Sequence, residues 1–105
     1  MTEKRIVLTA TGSKEEAQKI ARALVDRHLA ACANIVGPVD SVFWWKGKLQ
    51  EQAEYLLIIK TMEDALDNVR TVIRELHSYE LPEFTVLGVE AGSREYLAWI
   101  EACVR

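Results

Sequence analysis

Five consecutive apolar or aromatic residues stand near the middle of this 105-residue chain, in the stretch Ala53-Glu54-Tyr55-Leu56-Leu57-Ile58-Ile59-Lys60. A short run rich in isoleucine and aromatic residues is typical of a β-strand. The run does not alternate between apolar and polar residues, as a strand with one wet face does. We therefore expect both faces of the sheet around this strand to be covered.

A hairpin precedes this strand. Trp45-Lys46-Gly47-Lys48 is typical of a tight turn, because Gly47 tolerates the backbone conformations that such turns require. Upstream, residues 32–49 are rich in β-branched and aromatic residues and are interrupted by Gly37-Pro38. Proline donates no hydrogen bond to a strand ladder, so this segment is predicted to be an edge strand or a bulged one.

Local signals place the other elements. Ser13 and Glu16 form a capping box at the start of a first helix, and Thr61 and Asp64 form a weaker one before a second. Pro82 disfavours helix at the preceding residue, so residues 77–82 are predicted to be a loop. The predicted strands are residues 6–10 and 84–91. The first helix follows Ser13 and has its apolar residues between Ala17 and Leu29, the second has them between Met62 and Leu76, and a short last helix, capped by Gly92-Ser93, has them between Tyr96 and Ile100.

This order, β-α-β-β-α-β plus a short terminal helix, predicts one ferredoxin-like α+β domain over residues 1–105. Its antiparallel sheet carries two helices on one face. The second face would then leave Leu56 and Ile58 in water, which forgoes roughly 1.5–3 kcal/mol each. Either the terminal helix covers that face or further copies of the chain do. We expect a symmetric oligomer, because exposed apolar patches of this size are uncommon on monomers.

Composition narrows the function. The 13 basic and 16 acidic side chains give a net charge of −3, which disfavours a nucleic-acid partner. The two cysteines form no zinc-site spacing and suggest a reducing, cytoplasmic location. No apolar stretch approaches the ~20 residues of a membrane span. Neither a catalytic triad nor a glycine-rich phosphate loop is evident, so we expect no catalysis and no organic cofactor.

Two residues are candidate metal ligands. His77 stands at a predicted helix end, where it could bind a transition metal, shuttle a proton or simply cap the helix. Cys32 could be a soft ligand or a small buried thiol. Either interpretation of each residue stays open on the sequence.

Further candidates combine charge with aromatic rings. Lys60 ends the apolar strand, so its ammonium is expected to meet a carboxylate, such as Glu54, Glu80 or Glu83, or a ligand anion. The alternative is a surface ion pair. The tryptophans could line a pocket or pack at an interface, where aromatic residues are enriched; they are Trp44, Trp45 and Trp99.

Three stretches together resemble one family. They are residues 29–35, residues 41–49 with Glu54 and residues 59–61, and residues 77–83 with Gly92 and residues 96–100. They are similar to the CutA family, the divalent-cation tolerance proteins. The resemblance implies a ferredoxin-like cytoplasmic homotrimer linked to tolerance of divalent metal ions, copper above all. It also implies a cleft between subunits, lined by Trp45, Glu54, Lys60, His77, Tyr79 and Glu83.

The chain departs from the family pattern at three positions. Ser78 stands where the family usually has proline, Phe43 where it has tyrosine, and Thr9 where some members carry a copper-binding cysteine. Copper would then have Cys32 and His77 to draw on. The family resembles the PII signalling proteins in trimer architecture, so the alternative function is a sensor or scaffold that binds a small anion or a partner protein in the cleft. An acylphosphatase-type enzyme is disfavoured, because the loop after the first strand, Thr11-Gly12-Ser13, contains no arginine to hold a phosphate group.

Overall fold

The computed structural model describes residues 1–105 and confirms the α+β prediction with a four-stranded antiparallel sheet. The strands are β1 (Lys4–Thr11), β2 (Cys32–Trp45), β3 (Lys48–Met62) and β4 (Thr85–Gly88), in the order β2-β3-β1-β4. The helices are α1 (Lys14–Asp26), α2 (Leu66–Leu76) and α3 (Arg94–Cys103), and a 3-10 turn at Glu63–Ala65 precedes α2. None of these helices has the length and apolar composition that crossing a membrane requires.

The core lies between one face of the sheet and the pair α1 and α2. Alternate residues of β3 supply that face, since Leu57 and Ile59 are wholly buried. The helices meet them with apolar residues at helical spacing, which is why these segments pack as amphipathic helices. The largest buried side chains of this layer are Val7, Ile20, Leu24, Leu57, Ile59, Val69 and Ile73.

The hairpin of β2 and β3 is much longer than the other two strands. β1 pairs with β3 only from Tyr55 to Met62, so residues 39–45 of β2 and 48–54 of β3 project as a two-stranded arm. The pairing of β2 with β3 shifts register between Val36 and Val39, which confirms the predicted bulge on an edge strand. Gly37 allows this close approach, because a Cβ there would lie 2.6 Å from the ring of Tyr55.

Two local predictions were wrong. Thr61 does not cap a helix: it belongs to β3, and its hydroxyl donates a 2.6 Å hydrogen bond to the carbonyl of Leu29. The ladder with β1 continues to the pair Lys4–Met62, so α2 begins later and without a side-chain cap. The last strand is also shorter than the predicted 84–91. Its pairing with β1 covers only Arg5 to Leu8.

The second face of the sheet is only partly covered in one chain. Ile100 of α3 packs with Ala31 and Met62 at one end of it. Leu56 and Ile58 in the middle remain half-buried. Val36 and Leu87 on the same face are exposed, so α3 does not cover this face by itself.

Candidate ligand cleft

A cleft of about 670 Å³ opens between the projecting arm and the loop of residues 78–83. We call it the hairpin cleft. Alternate residues of β2 and β3 point into it, because the register places Phe43 opposite Gln50 and Ser41 opposite Gln52 on one face. The loop forms the other wall. The lining is Ala10, Ser41, Val42, Phe43, Trp45, Gln50, Gln52, Glu54, Ser78, Tyr79, Glu80, Leu81 and Glu83.

A hydrogen-bonded group of three side chains joins the two walls. The hydroxyl of Tyr79 donates to Glu54 Oε2 at 2.7 Å and accepts from Gln52 Nε2 at 2.7 Å. Burial, followed by the hydrogen bond to Glu54 and the negative charge of Glu54, raises the pKa of Tyr79 to about 12. The phenol therefore stays protonated near neutral pH and holds the Glu54 carboxylate in place.

His77 packs against the ring of Tyr79 and is hydrogen-bonded to the backbone on both sides. Its side chain is inaccessible to solvent, and its ring lies 4.7 Å from that of Tyr79, centroid to centroid. Nε2 donates to the carbonyl of Ala10 at 2.7 Å, and Nδ1 accepts from the amide of Tyr79 at 3.1 Å. This pattern fits the neutral tautomer protonated at Nε2. Both ring nitrogens are thus engaged within the chain, and neither is free for a metal ion.

Glu16 anchors the loop from α1. Its two carboxylate oxygens accept from the amide of Ser78 at 2.7 Å and from the hydroxyl of Ser78 at 3.1 Å. The predicted capping box is therefore half formed. Ser13 accepts from the amide of Glu16, as a cap does, but the Glu16 side chain serves the loop instead.

The hairpin cleft is acidic. Glu54, Glu80 and Glu83 line it, and no lysine or arginine does. Glu83 accepts a 2.9 Å hydrogen bond from the hydroxyl of Thr85. Lys46 stands at the rim, where its ammonium lies 3.6 Å from Glu80 and 5.6 Å from the ring centroid of Trp45. Such a site favours a positively charged ligand over an anion.

The structure separates the other two candidates from the cleft within one chain. Cys32 pairs with Lys60 across the ladder, and Lys60 follows Glu54 by six residues, which is about 20 Å along a strand. The ammonium of Lys60 lies 5.6 Å from the ring centroid of Tyr96, and the thiol of Cys32 lies 3.7 Å from Asn34 Oδ1. Lys60 therefore does not meet Glu54 within one chain.

The candidate metal ligands Cys32 and His77 also lie apart. The ring of His77 is hydrogen-bonded to the carbonyl of Ala10, and Ala10 pairs with Leu56 of β3. Lys60, the partner of Cys32, is four residues further along β3, which is about 13 Å. No group of three or more His, Cys, Asp and Glu residues is placed to hold a metal ion. One chain therefore brings together Trp45, Glu54, Tyr79 and Glu83, with His77 beneath them.

Two contributors were missed by the sequence reasoning. Gln52 shares a strand face with Glu54, and that alternation was a usable signal next to the predicted turn. Glu16 was assigned to a capping box, so nothing in the sequence pointed from α1 to the loop.

These features define a small antiparallel α+β protein with a cleft between a long hairpin and the loop of residues 78–83. The sequence model of the family described as CutA1 divalent ion tolerance protein matches residues 5–103. The chain belongs to this family.

Relatives and solved structures agree with this assignment. A divalent-cation tolerance protein CutA from Archaeoglobus fulgidus is 40% identical over 99 residues, which cover 94% of this chain and 95% of that protein. The rice protein named CutA 1, chloroplastic, is 39% identical over 95% of this chain, and the match spans only 56% of that protein. The structure of a divalent cation tolerance protein from Thermus thermophilus superposes with a TM-score of 0.94 at 38% identity, covering 97% of this chain and 99% of that one.

Proposed function

We propose that the protein acts in divalent-cation tolerance as a cytoplasmic, non-catalytic homotrimer that binds cations, with copper above all as the metal. The observation that carries this proposal is the charge of the hairpin cleft, which three carboxylates line without any basic residue. Membership of the divalent ion tolerance family also supports a positively charged ligand. No nucleic acid or membrane is part of the proposal.

Trimer formation is supported by the apolar surface that one chain leaves open. The arm exposes Trp44 and Leu49, which pair with each other on the face opposite the cleft. β2 and β4 form the edges of the sheet and have unpaired backbone groups that another chain could pair. Burying such a surface against copies of the chain removes it from water.

The proposed metal ligands do not form a site in one chain. His77 has both nitrogens engaged, and Cys32 lies about 13 Å away along the sheet. A divalent ion would therefore need donors from two chains or the carboxylates of the cleft. Carboxylates suit Mg²⁺, Ca²⁺ and Mn²⁺, whereas thiolate and imidazole suit copper, so the identity of the bound metal discriminates between these two sites.

Calorimetric titration with Cu(II), Zn(II) and Mn(II) tests the proposal. We compare the wild type with His77→Ala/Cys32→Ala and with Glu54→Gln/Glu83→Gln. Copper binding lost only in the first variant supports a His77 and Cys32 site shared between chains. Loss only in the second assigns the metal to the cleft. Wild-type affinity no tighter than that of both variants would refute metal binding at either place.

The alternative function is a PII-like sensor that binds a small molecule, and the size of the cleft supports it while the charge of the cleft does not. The cleft has the size and aromatic walls of a small-molecule site, which usually encloses 300–1,000 Å³. An anionic ligand is disfavoured for two reasons. Lys60 lies outside the cleft in one chain, and the carboxylates that line the cleft would repel an anion.

A further inference from the structure

We propose that Glu16, which lies on α1 outside the lining of the hairpin cleft, is a positioning residue for that cleft. Through Ser78 it holds the loop that presents Tyr79 to Glu54. This inference rests on the proposed function, because it takes the cleft as the binding site of a cation. It adds a residue of the helical layer that controls how tightly the cleft binds.

Both oxygens of the Glu16 carboxylate are committed to the loop. Oε1 accepts from the amide of Ser78 at 2.7 Å, and Oε2 accepts from the hydroxyl of Ser78 at 3.1 Å. Hydrogen bonds to an ionised acceptor are about twice as strong as those between neutral groups. The Glu16 side chain is only 15% exposed, so water competes little for its oxygens. Glu16 therefore restrains the loop at its first residue.

The restraint at Ser78 passes to the cleft through the next residue. The amide of Tyr79 donates to His77 Nδ1 at 3.1 Å, and the phenol of Tyr79 donates to Glu54 at 2.7 Å. Every bond in this series is made within one chain, so each subunit of an assembly has it. Because Ser78 and Tyr79 are consecutive, freeing Ser78 is expected to loosen the hold of the phenol on Glu54.

The turn before α1 contacts the other end of Tyr79. A Cβ added at Gly12 would lie 3.2 Å from the hydroxyl oxygen of Tyr79 and 3.3 Å from Gln52 Nε2, so the missing side chain leaves the room that these groups occupy. Glu16 follows in the first turn of the helix. The start of α1 therefore meets the ring of Tyr79 at Gly12 and the backbone before Tyr79 at Glu16.

A second route from Glu16 to the cleft would run by charge through His77. Nδ1 of His77 lies 3.9 Å from Glu16 Oε2, beyond hydrogen-bond distance, and already accepts from the amide of Tyr79. Proline at position 78 separates the two routes, because it offers Glu16 neither an N–H nor a hydroxyl and restrains the backbone by its own ring. His77 has the extended backbone that a residue before proline requires, with φ −85° and ψ 136°.

The test is hydrogen–deuterium exchange of the Tyr79 amide in the assembled protein. Glu16→Ala should speed this exchange at least about tenfold, because the loop loses two hydrogen bonds to a charged group. Glu15→Ala is the matched control. Glu15 is exposed in the same first turn, so its loss also weakens the interaction with the helix dipole but leaves the bonds to Ser78 in place. The control should change the exchange less than about threefold.

Two further variants locate the route. In a Ser78→Pro background, Glu16→Ala should change the exchange of the Tyr79 amide less than about threefold. Glu16→Gln keeps one oxygen to accept from Ser78 and should speed exchange less than Glu16→Ala does, and it takes the place of the alanine variant if that variant fails to fold. Exchange as slow as in Glu15→Ala would overturn the positioning role, and equal gains with serine and with proline at position 78 would overturn the route through Ser78.

Calorimetric titration of the same variants with Cu(II) and Mn(II) separates this inference from the proposed function. Glu16→Ala should weaken about tenfold the binding of any ion that Glu54→Gln/Glu83→Gln no longer binds, because removing a group that orients a ligand costs a metal site about that much. Faster exchange with unchanged affinity would refute the control of binding by Glu16 and leave the metal-response proposal standing. If neither ion binds the wild type, the proposed function fails, while the exchange of the Tyr79 amide still decides whether Glu16 positions the cleft.

Discussion

Replacing Tyr79 with phenylalanine removes one oxygen atom and two hydrogen bonds. The hydroxyl donates to Glu54 and accepts from Gln52, both at 2.7 Å. Gln52 is exposed and can turn to water, so its loss costs little. Glu54 is 8% exposed, so its Oε2 loses its donor where water has little access. Hydrogen bonds to charged groups contribute about 1.5–3 kcal/mol, and we expect Tyr79→Phe to lower the free energy of unfolding by about 2 kcal/mol.

The measurement is guanidinium unfolding at one fixed protein concentration, because an oligomer's stability depends on concentration. Tyr96→Phe is the matched control: Tyr96 is 42% exposed, and its hydroxyl makes no hydrogen bond within the chain. The control should stay within about 0.5 kcal/mol of the wild type. A Tyr79→Phe variant as stable as Tyr96→Phe would show that the phenol does not hold Glu54 in the way the structure indicates.

Three further predictions follow from single contacts. The pKa of Tyr79 is about 12 in the folded protein, against an ordinary value of 10.0 for tyrosine, so the unfolded state loses its proton first. Wild-type stability should therefore fall as pH rises from 10 towards 12, with a smaller fall in Tyr79→Phe, measured by unfolding at each pH. Ser13→Ala removes the cap of α1 and should cost about 1 kcal/mol in the same assay; no change would contradict the cap. Trp44→Glu places a charge where the side chain is 73% exposed and should reduce the sedimenting mass without altering the circular dichroism, whereas an unchanged mass would exclude this arm face from the interface.

The fold could be predicted because its decisive signals are local. The unbroken apolar run at 55–59 indicated a strand with two apolar faces, and the structure buries Leu57 and Ile59 fully while leaving Leu56 and Ile58 half-buried. The predicted start of α2, at Thr61, was wrong for a different reason. A Thr–Asp capping pattern competed with a strand ladder, and the pairing of β3 with β1 prevailed as far as Met62.

The candidate site was less accessible to sequence reasoning. Trp45, Glu54, Tyr79 and Glu83 were grouped by family resemblance, and the structure places them in one cleft. Lys60 lies about 20 Å along the strand from Glu54 within one chain, whereas the resemblance implied a cleft between subunits, so its place in that cleft stays a prediction. The contact of Glu16 with Ser78 joins residues 62 positions apart, and no local pattern encodes such a contact.

Ser78 shows how the cleft is tied to the helices. Serine does not restrict the backbone as the family's usual proline would, so the loop needs another constraint to present Tyr79 to Glu54. Glu16 supplies it through two hydrogen bonds to Ser78, and His77 supplies a third through the amide of Tyr79. Because Tyr79 then bonds Glu54, a continuous series of hydrogen bonds joins the cleft carboxylate to α1, and removing the Glu16 carboxylate is expected to loosen the loop that presents Tyr79.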